Sequence, residues 1–92
     1  MIRSFTQRSL RDLWRTGRSN RIDAHLHRRV LERLDALDAA ERPEDMDIPG
    51  HDFHGLKGFR PKRHSVHVNG PVCITFEFED GDAWRVDLEN YH

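Results

Sequence analysis

The sequence predicts an α+β fold in which two N-terminal helices pack on a small antiparallel sheet. Apolar residues recur at helical spacing within the first 40 residues, and from residue 63 onward they alternate with polar residues. Two dipeptides that favour tight turns, Asn69-Gly70 and Asp80-Gly81, separate the alternating segments. At 92 residues the chain has room for one domain, residues 1–92, and for one functional site.

The first predicted helix lies between Thr6 and Gly17. Leu10, Leu13 and Trp14 share one helical face, and a glycine commonly follows the last residue of a helix. A helix this short needs a packing partner to be stable. We therefore expect it to pack against a second helix.

The second predicted helix begins after Asp23, whose carboxylate can cap the first turn. It is expected to end before Arg42-Pro43, because the residue before a proline disfavours helical geometry. Its apolar stripe consists of Leu26, Val30, Leu34 and Leu37.

A three-stranded antiparallel meander is predicted over residues 63–88, with one face toward the helices. By strict alternation, the inward side chains are those of Val66, Val68, Val72, Ile74, Phe76, Phe78, Trp84, Val86 and Leu88. The opposite face is expected to be polar and open, and it carries Arg63, Ser65, His67, Cys73, Thr75, Glu77, Arg85 and Asp87.

Charge is distributed unevenly along the chain. The net charge of −1 argues mildly against a nucleic-acid binder, because phosphate affinity rests on several unneutralised cations. Residues 1–40, however, contain nine arginines against five acidic residues, a balance of +4. Charged residues in such number usually form a solvated surface, and this is the default interpretation of the N-terminal arginines.

Composition excludes several classes of protein. No apolar run approaches the roughly 20 residues of a membrane span, and the first residues lack a signal peptide, so a cytoplasmic location is expected. The single cysteine, Cys73, excludes an internal disulfide. The histidine spacings give poor ligand geometry, since His25 and His27 do not share a helical face, and no metal site is predicted.

Two short segments contain side chains suited to chemistry on a phosphodiester: His54-Gly55-Leu56-Lys57-Gly58 and Asn90-Tyr91-His92. Imidazoles can transfer protons near neutral pH, and an ammonium group can stabilise charge on phosphate. From the spacing alone, the alternative to a catalytic role is that the residues of both segments are ordinary exposed surface residues.

The whole chain resembles the HigB toxins of the RelE superfamily. The resemblance is carried by Met1 to Phe5, Leu37-Asp38-Ala39-Ala40, His54 to Gly58, Ser65 to Asn69, Ile74-Thr75-Phe76, Gly81-Asp82-Ala83 and Asn90-Tyr91-His92. It implies a RelE-like fold, ribosome-dependent cleavage of mRNA without a metal or other cofactor, and neutralisation by a cognate helix-turn-helix antitoxin.

The resemblance also implies roles for individual residues. His54, Lys57, Tyr91 and His92 match the positions that the family uses for catalysis, and Asn90 stands where an aspartate is usual. In the implied reaction the ribose 2′-OH attacks the adjacent phosphodiester. Lys57 would then contact phosphate oxygens and His92 transfer a proton, with Tyr91 stacking or transferring a proton and His54 positioning the substrate or assisting acid–base catalysis.

One departure from the family pattern concerns the charge around the phosphate. The family has Trp-Arg where this chain has Val72-Cys73, so an arginine beside the scissile phosphate is missing. Losing one such donor can slow a reaction about 100- to 1000-fold. Arg63 and Arg85 lie on the same predicted face and are candidate substitutes for the missing arginine. The candidate substrate-binding residues are these two arginines, Asn90 and Cys73.

Three functional classes therefore stay open. The first is a ribosome-dependent endoribonuclease toxin. The second is a catalytically weakened protein of the toxin fold that mainly binds its antitoxin. The third is a metal-binding or other small-ligand protein. Separately, Cys73 is a candidate nucleophile for a different reaction, with a small residue on the polar face as the alternative interpretation.

Overall fold

Two helices precede a four-stranded antiparallel sheet in the computed structural model, which describes residues 1–90. The α-helices are α1, Arg8–Thr16, and α2, His27–Ala39, with single 3-10 turns at Ala24–Leu26 and Pro43–Met46. The strands are β1, His54–Leu56; β2, Arg63–Asn69; β3, Val72–Glu79; and β4, Asp82–Asn90. They lie side by side in chain order, and the predicted α+β fold is confirmed.

The helices follow the sequence pattern closely. α1 is followed by Gly17, whose N–H donates to the Leu13 carbonyl at 2.8 Å and whose positive φ of 80° turns the chain out of the helix. The four residues of the predicted stripe of the second helix are all buried, although Asp23 precedes a 3-10 turn and α2 begins only at His27. Within residues 1–90, no helix is long and apolar enough to cross a membrane.

The core lies between the helices and one face of the sheet. Its largest fully buried side chains include Phe76, Leu10, Leu13, Leu34, Leu37 and Met46. His64 also points to this side, where its ring stacks on Phe53 with 5.6 Å between ring centroids and lies 5.5 Å from that of Phe76.

Two strand-like elements were not predicted. β1 has only three residues and a central glycine, and it pairs with β2 in the register His54 opposite Ser65. The N-terminal segment adds isolated parallel bridges to β4, Ile2 opposite Ala83 and Phe5 opposite Val86. The partner of this segment is about 80 residues away in sequence, so local patterns do not reveal it.

The predicted orientation of Trp84 is wrong, because β4 contains a β-bulge. Thr75 lies opposite Asp87 and Glu77 opposite Trp84, so two residues of β4 occupy the space opposite one residue of β3. The bulge includes Arg85, whose φ is +48°. Alternation is thereby interrupted, and Trp84 lies 37% exposed on the polar face while its neighbour Ala83 is buried.

Candidate active face

The polar face of the sheet is covered by its own side chains, which corrects the prediction of an open surface. Ser65, Cys73 and Thr75 are 3%, 7% and 0% exposed. The Thr75 hydroxyl accepts a hydrogen bond from Arg63 Nη2 at 2.9 Å and donates one to the carboxylate of Glu89. Long charged side chains therefore lie over the small residues of β2 and β3.

His54 stands at one end of a row of polar residues that crosses all four strands. The strand register places His54 opposite Ser65, Ser65 opposite Thr75, and Thr75 opposite Asp87. The His54 side chain is exposed, and its Nδ1 lies 2.8 Å from the carbonyl oxygen of Asp52. A carbonyl can only accept, so Nδ1 carries a proton and Nε2 of the neutral ring keeps a lone pair that can accept one.

His54 and Cys73, two of the predicted site residues, meet in one small cavity. The cavity has a volume of about 220 Å³, and its walls are Asp52, His54, Ser65, His67, Gly70, Pro71, Val72 and Cys73. Cys73 lies opposite His67 in β2 and opposite Glu89 in β4. No guanidinium group lines this cavity among the residues that the structure describes.

The Cys73 thiol is a poor nucleophile in this setting. Burial raises its pKa, and the carboxylates of Glu89 and Asp87 raise it further, against the opposing effect of a hydrogen bond with Ser65. Since the thiolate is the reactive form, the thiol is protonated and unreactive at neutral pH. The geometry therefore disfavours the alternative in which Cys73 attacks a substrate.

Arg63 and Arg85 form a second cluster around Glu77. Arg63 Nη1 donates to one carboxylate oxygen of Glu77 at 3.0 Å, and Arg85 Nη1 lies 3.5 Å from the other. Arg63 Nη2 also donates to the Arg85 carbonyl at 3.0 Å, so its guanidinium is already engaged. Glu77 is the residue that sequence reasoning missed here, and its signal is an opposite charge directly across the strand pair from Arg63.

The two clusters are separated along β4. Cys73 faces Glu89, which is four residues from Arg85, and four residues of strand span about 13 Å before the bulge shortens the path. The structure therefore does not bring Arg85 to the position of the missing arginine.

The remaining predicted residues lie at the margins of the described structure. Lys57 is exposed in the turn after β1, and Asn90 is exposed opposite Val72 at the end of β4. Tyr91 and His92 lie outside the described residues.

Comparison with known proteins identifies the family of this chain. The family model described as the RelE-like toxin of the type II toxin–antitoxin system HigB matches residues 3–92. The chain belongs to this HigB-like family. It is also 34% identical to Endoribonuclease HigB of Proteus vulgaris over 92 residues, the full length of both chains.

As a HigB-like toxin, the protein is the toxin half of a type II pair, which implies an antitoxin as its partner. Its helices and four-stranded antiparallel sheet are consistent with the RelE-like fold. Within residues 1–90, no group of three or more His, Cys, Asp or Glu side chains has an arrangement that could hold a metal ion. On the described face, the exposed His54 imidazole can transfer a proton, and the exposed Lys57 and Arg85 side chains can contact an anion.

Proposed function

We propose that this HigB-like toxin is an endoribonuclease that cleaves mRNA on the ribosome, in the cytoplasm. The observation that carries the proposal is His54, an exposed imidazole whose Nδ1 lies 2.8 Å from the Asp52 carbonyl oxygen, at the end of a polar row on the sheet face. The name of the Proteus vulgaris relative, an endoribonuclease, supports the same reaction class.

The reaction needs a base, an acid and charge stabilisation. His54 Nε2 accepts the proton of the ribose 2′-OH while that oxygen bonds to phosphorus, and the bond from phosphorus to the 5′-oxygen breaks. His92 protonates the departing 5′-oxygen, and Tyr91 stacks on a neighbouring base. Lys57 neutralises the charge that grows on the non-bridging oxygens.

The other polar residues serve substrate binding in this proposal. Asn90 hydrogen-bonds the nucleotide, Cys73 forms a neutral wall of the cavity beside His54, and Arg85 contacts a flanking phosphate. The Arg85 side chain is 64% exposed and is accessible for that contact, whereas Arg63 holds the Arg85 carbonyl.

A second candidate is a weakened toxin that mainly binds its helix-turn-helix antitoxin. The observation that favours it is the cavity beside His54, which has a cysteine where the resemblance leads us to expect an arginine. Reduced charge stabilisation would slow cleavage without altering the fold.

Single-turnover cleavage of mRNA on programmed ribosomes separates the two candidates. The wild type should cut the message, and His54→Ala and Lys57→Ala should each reduce the rate by at least about 100-fold. His25→Ala, at an exposed histidine near the start of the second helix, is the matched control and should cut normally. A wild type that binds its antitoxin but leaves the message intact would favour the second candidate.

A further inference from the structure

Five arginines on α1 and the loop after it have no assigned role in the reaction. Their side chains are all exposed, and they are Arg8, Arg11, Arg15, Arg18 and Arg21, here called the α1 arginine surface. None of the ion pairs among residues 1–90 includes any of them. By contrast, the exposed arginines Arg28 and Arg42 pair with Glu32 and Asp45.

The spacing of these arginines places their charges on one side of the molecule. Arg8, Arg11 and Arg15 recur at i, i+3 and i+7, which is one stripe of a helix. Leu10 and Leu13 point from the same helix into the core, so the stripe faces away from the sheet. The outer surface of α1 therefore carries a row of guanidinium groups that form no ion pair among the described residues.

Two concave regions flank this stripe. The larger has a volume of about 930 Å³, and its walls include Arg8, Asp12, Arg18 and Arg21. The smaller, of about 510 Å³, is lined by Ile2, Arg3, Ser4, Phe5, Arg11, Trp14 and Arg15. Asp12 is the one acidic side chain in either wall, so both concavities favour an anion.

The chemistry of this surface fits a phosphate backbone better than a protein. Stable protein interfaces centre on exposed apolar anchors, and the large exposed apolar residues of the described chain, Met1, Ile48, Phe59 and Trp84, all lie outside α1. Guanidinium groups bind phosphates in a bidentate manner, and RNA carries such phosphates at regular intervals. We propose that the α1 arginine surface binds the phosphate backbone of ribosomal RNA.

The α1 arginine surface lies on the opposite side of the molecule from the polar face of the sheet. α1 packs on the helical side of the sheet, whereas His54 and its polar row lie on the other side. The arginines hold the toxin on the ribosome while the sheet face stays free for the message. The ribosome as the source of this RNA rests on the proposed function.

Binding to empty ribosomes, measured against salt concentration, tests the proposal without cleavage. The parent protein in this assay carries His54→Ala, and both double variants are made in it. The test variant is Arg8→Ala/Arg15→Ala. The control variant is Arg28→Ala/Arg42→Ala, which removes the same amount of charge from arginines that form ion pairs. Each lost phosphate contact flattens the slope of log K against log salt by about 0.7–0.9. We expect the Arg8/Arg15 variant to have a slope shallower by about 1.5 and to bind about 30-fold more weakly at 0.1 M salt. The control should bind like the parent, and all three should melt at similar temperatures.

Each other outcome has a definite meaning. Equal weakening in both double variants would overturn the proposal, because net charge rather than this surface would then govern binding. Unchanged ribosome binding with lost antitoxin binding in the Arg8/Arg15 variant would assign the surface to an acidic protein and also overturn it. If wild type fails to cleave mRNA yet binding still depends on Arg8 and Arg15, the proposed catalysis fails and this inference stands. If the parent does not bind ribosomes at all, both fail.

Discussion

Replacing Arg63 with alanine should destabilise the protein through the charge that it leaves behind. The side chains of Arg63 and Glu77 are only 11% and 12% exposed. Removing one partner of a buried ion pair costs about 3–5 kcal/mol, because the other charge is left uncompensated. Arg85 still neutralises Glu77 in part, but its own side chain is 64% exposed, and such a contact contributes at most about 1 kcal/mol.

We therefore expect Arg63→Ala to lower the free energy of unfolding by about 3 kcal/mol, and the melting temperature by about 12–24 °C. Urea unfolding followed by circular dichroism measures the former. Arg85→Ala is the matched control, with an expected loss below about 1 kcal/mol. Combining Arg63→Met with Glu77→Met removes both charges and should recover most of the loss. A cost below about 0.5 kcal/mol for Arg63→Ala would refute the reasoning, since it would mean that Glu77 is solvated after all.

Three further predictions concern titration and the cavity. Burial lowers the pKa of His64 below its ordinary 6.5, so the unfolded chain binds more protons and stability should fall as pH drops from 7 through 6. His64→Phe, which fits between two phenylalanine rings, should make unfolding less pH-dependent in that range, and an unchanged pH profile would argue against a neutral buried ring. Cys73→Ser should retain mRNA cleavage, and loss of cleavage in this variant would restore the hypothesis that Cys73 is a nucleophile. The Cys73 thiol of the folded protein should also react with Ellman's reagent far more slowly than the same thiol in the urea-unfolded protein. Cys73→Arg should speed single-turnover cleavage only modestly, by up to about tenfold or about 1.4 kcal/mol, because Glu89 directly opposite competes for the new guanidinium; a gain above 100-fold would contradict that competition.

Most of the fold could be predicted from sequence periodicity because the apolar residues of each long element recur on one regular face. The stripe of α2 and the alternation of β2 and β3 are such patterns, and Asp80-Gly81 forms the turn between β3 and β4 with positive φ at both residues. The pattern fails where the backbone departs from regular geometry. Trp84 was misplaced because a bulge inserts one residue, which reverses the alternation on one side of it.

The candidate site was less predictable, because it depends on pairings distant in sequence. The block His54 to Lys57 could be singled out by residue type. The pairing of its first three residues in the sheet as β1 could not be predicted, because three residues are too few to show a period. The expectation that Arg85 replaces the missing arginine rested on alternation alone. Alternation gives the face of a side chain and not its position along the strand, and the register places Arg85 far from Cys73.

Induction of the protein alone in a bacterium, followed by primer extension on two versions of one reporter transcript, tests the central claim most directly. One version has a start codon and is translated, whereas the other lacks the start codon. We predict growth arrest and cuts within the coding region of the translated version only, with both effects abolished by His54→Ala. Intact transcripts and normal growth at confirmed expression would contradict the proposed cleavage. Equal cutting of both versions would contradict its dependence on the ribosome.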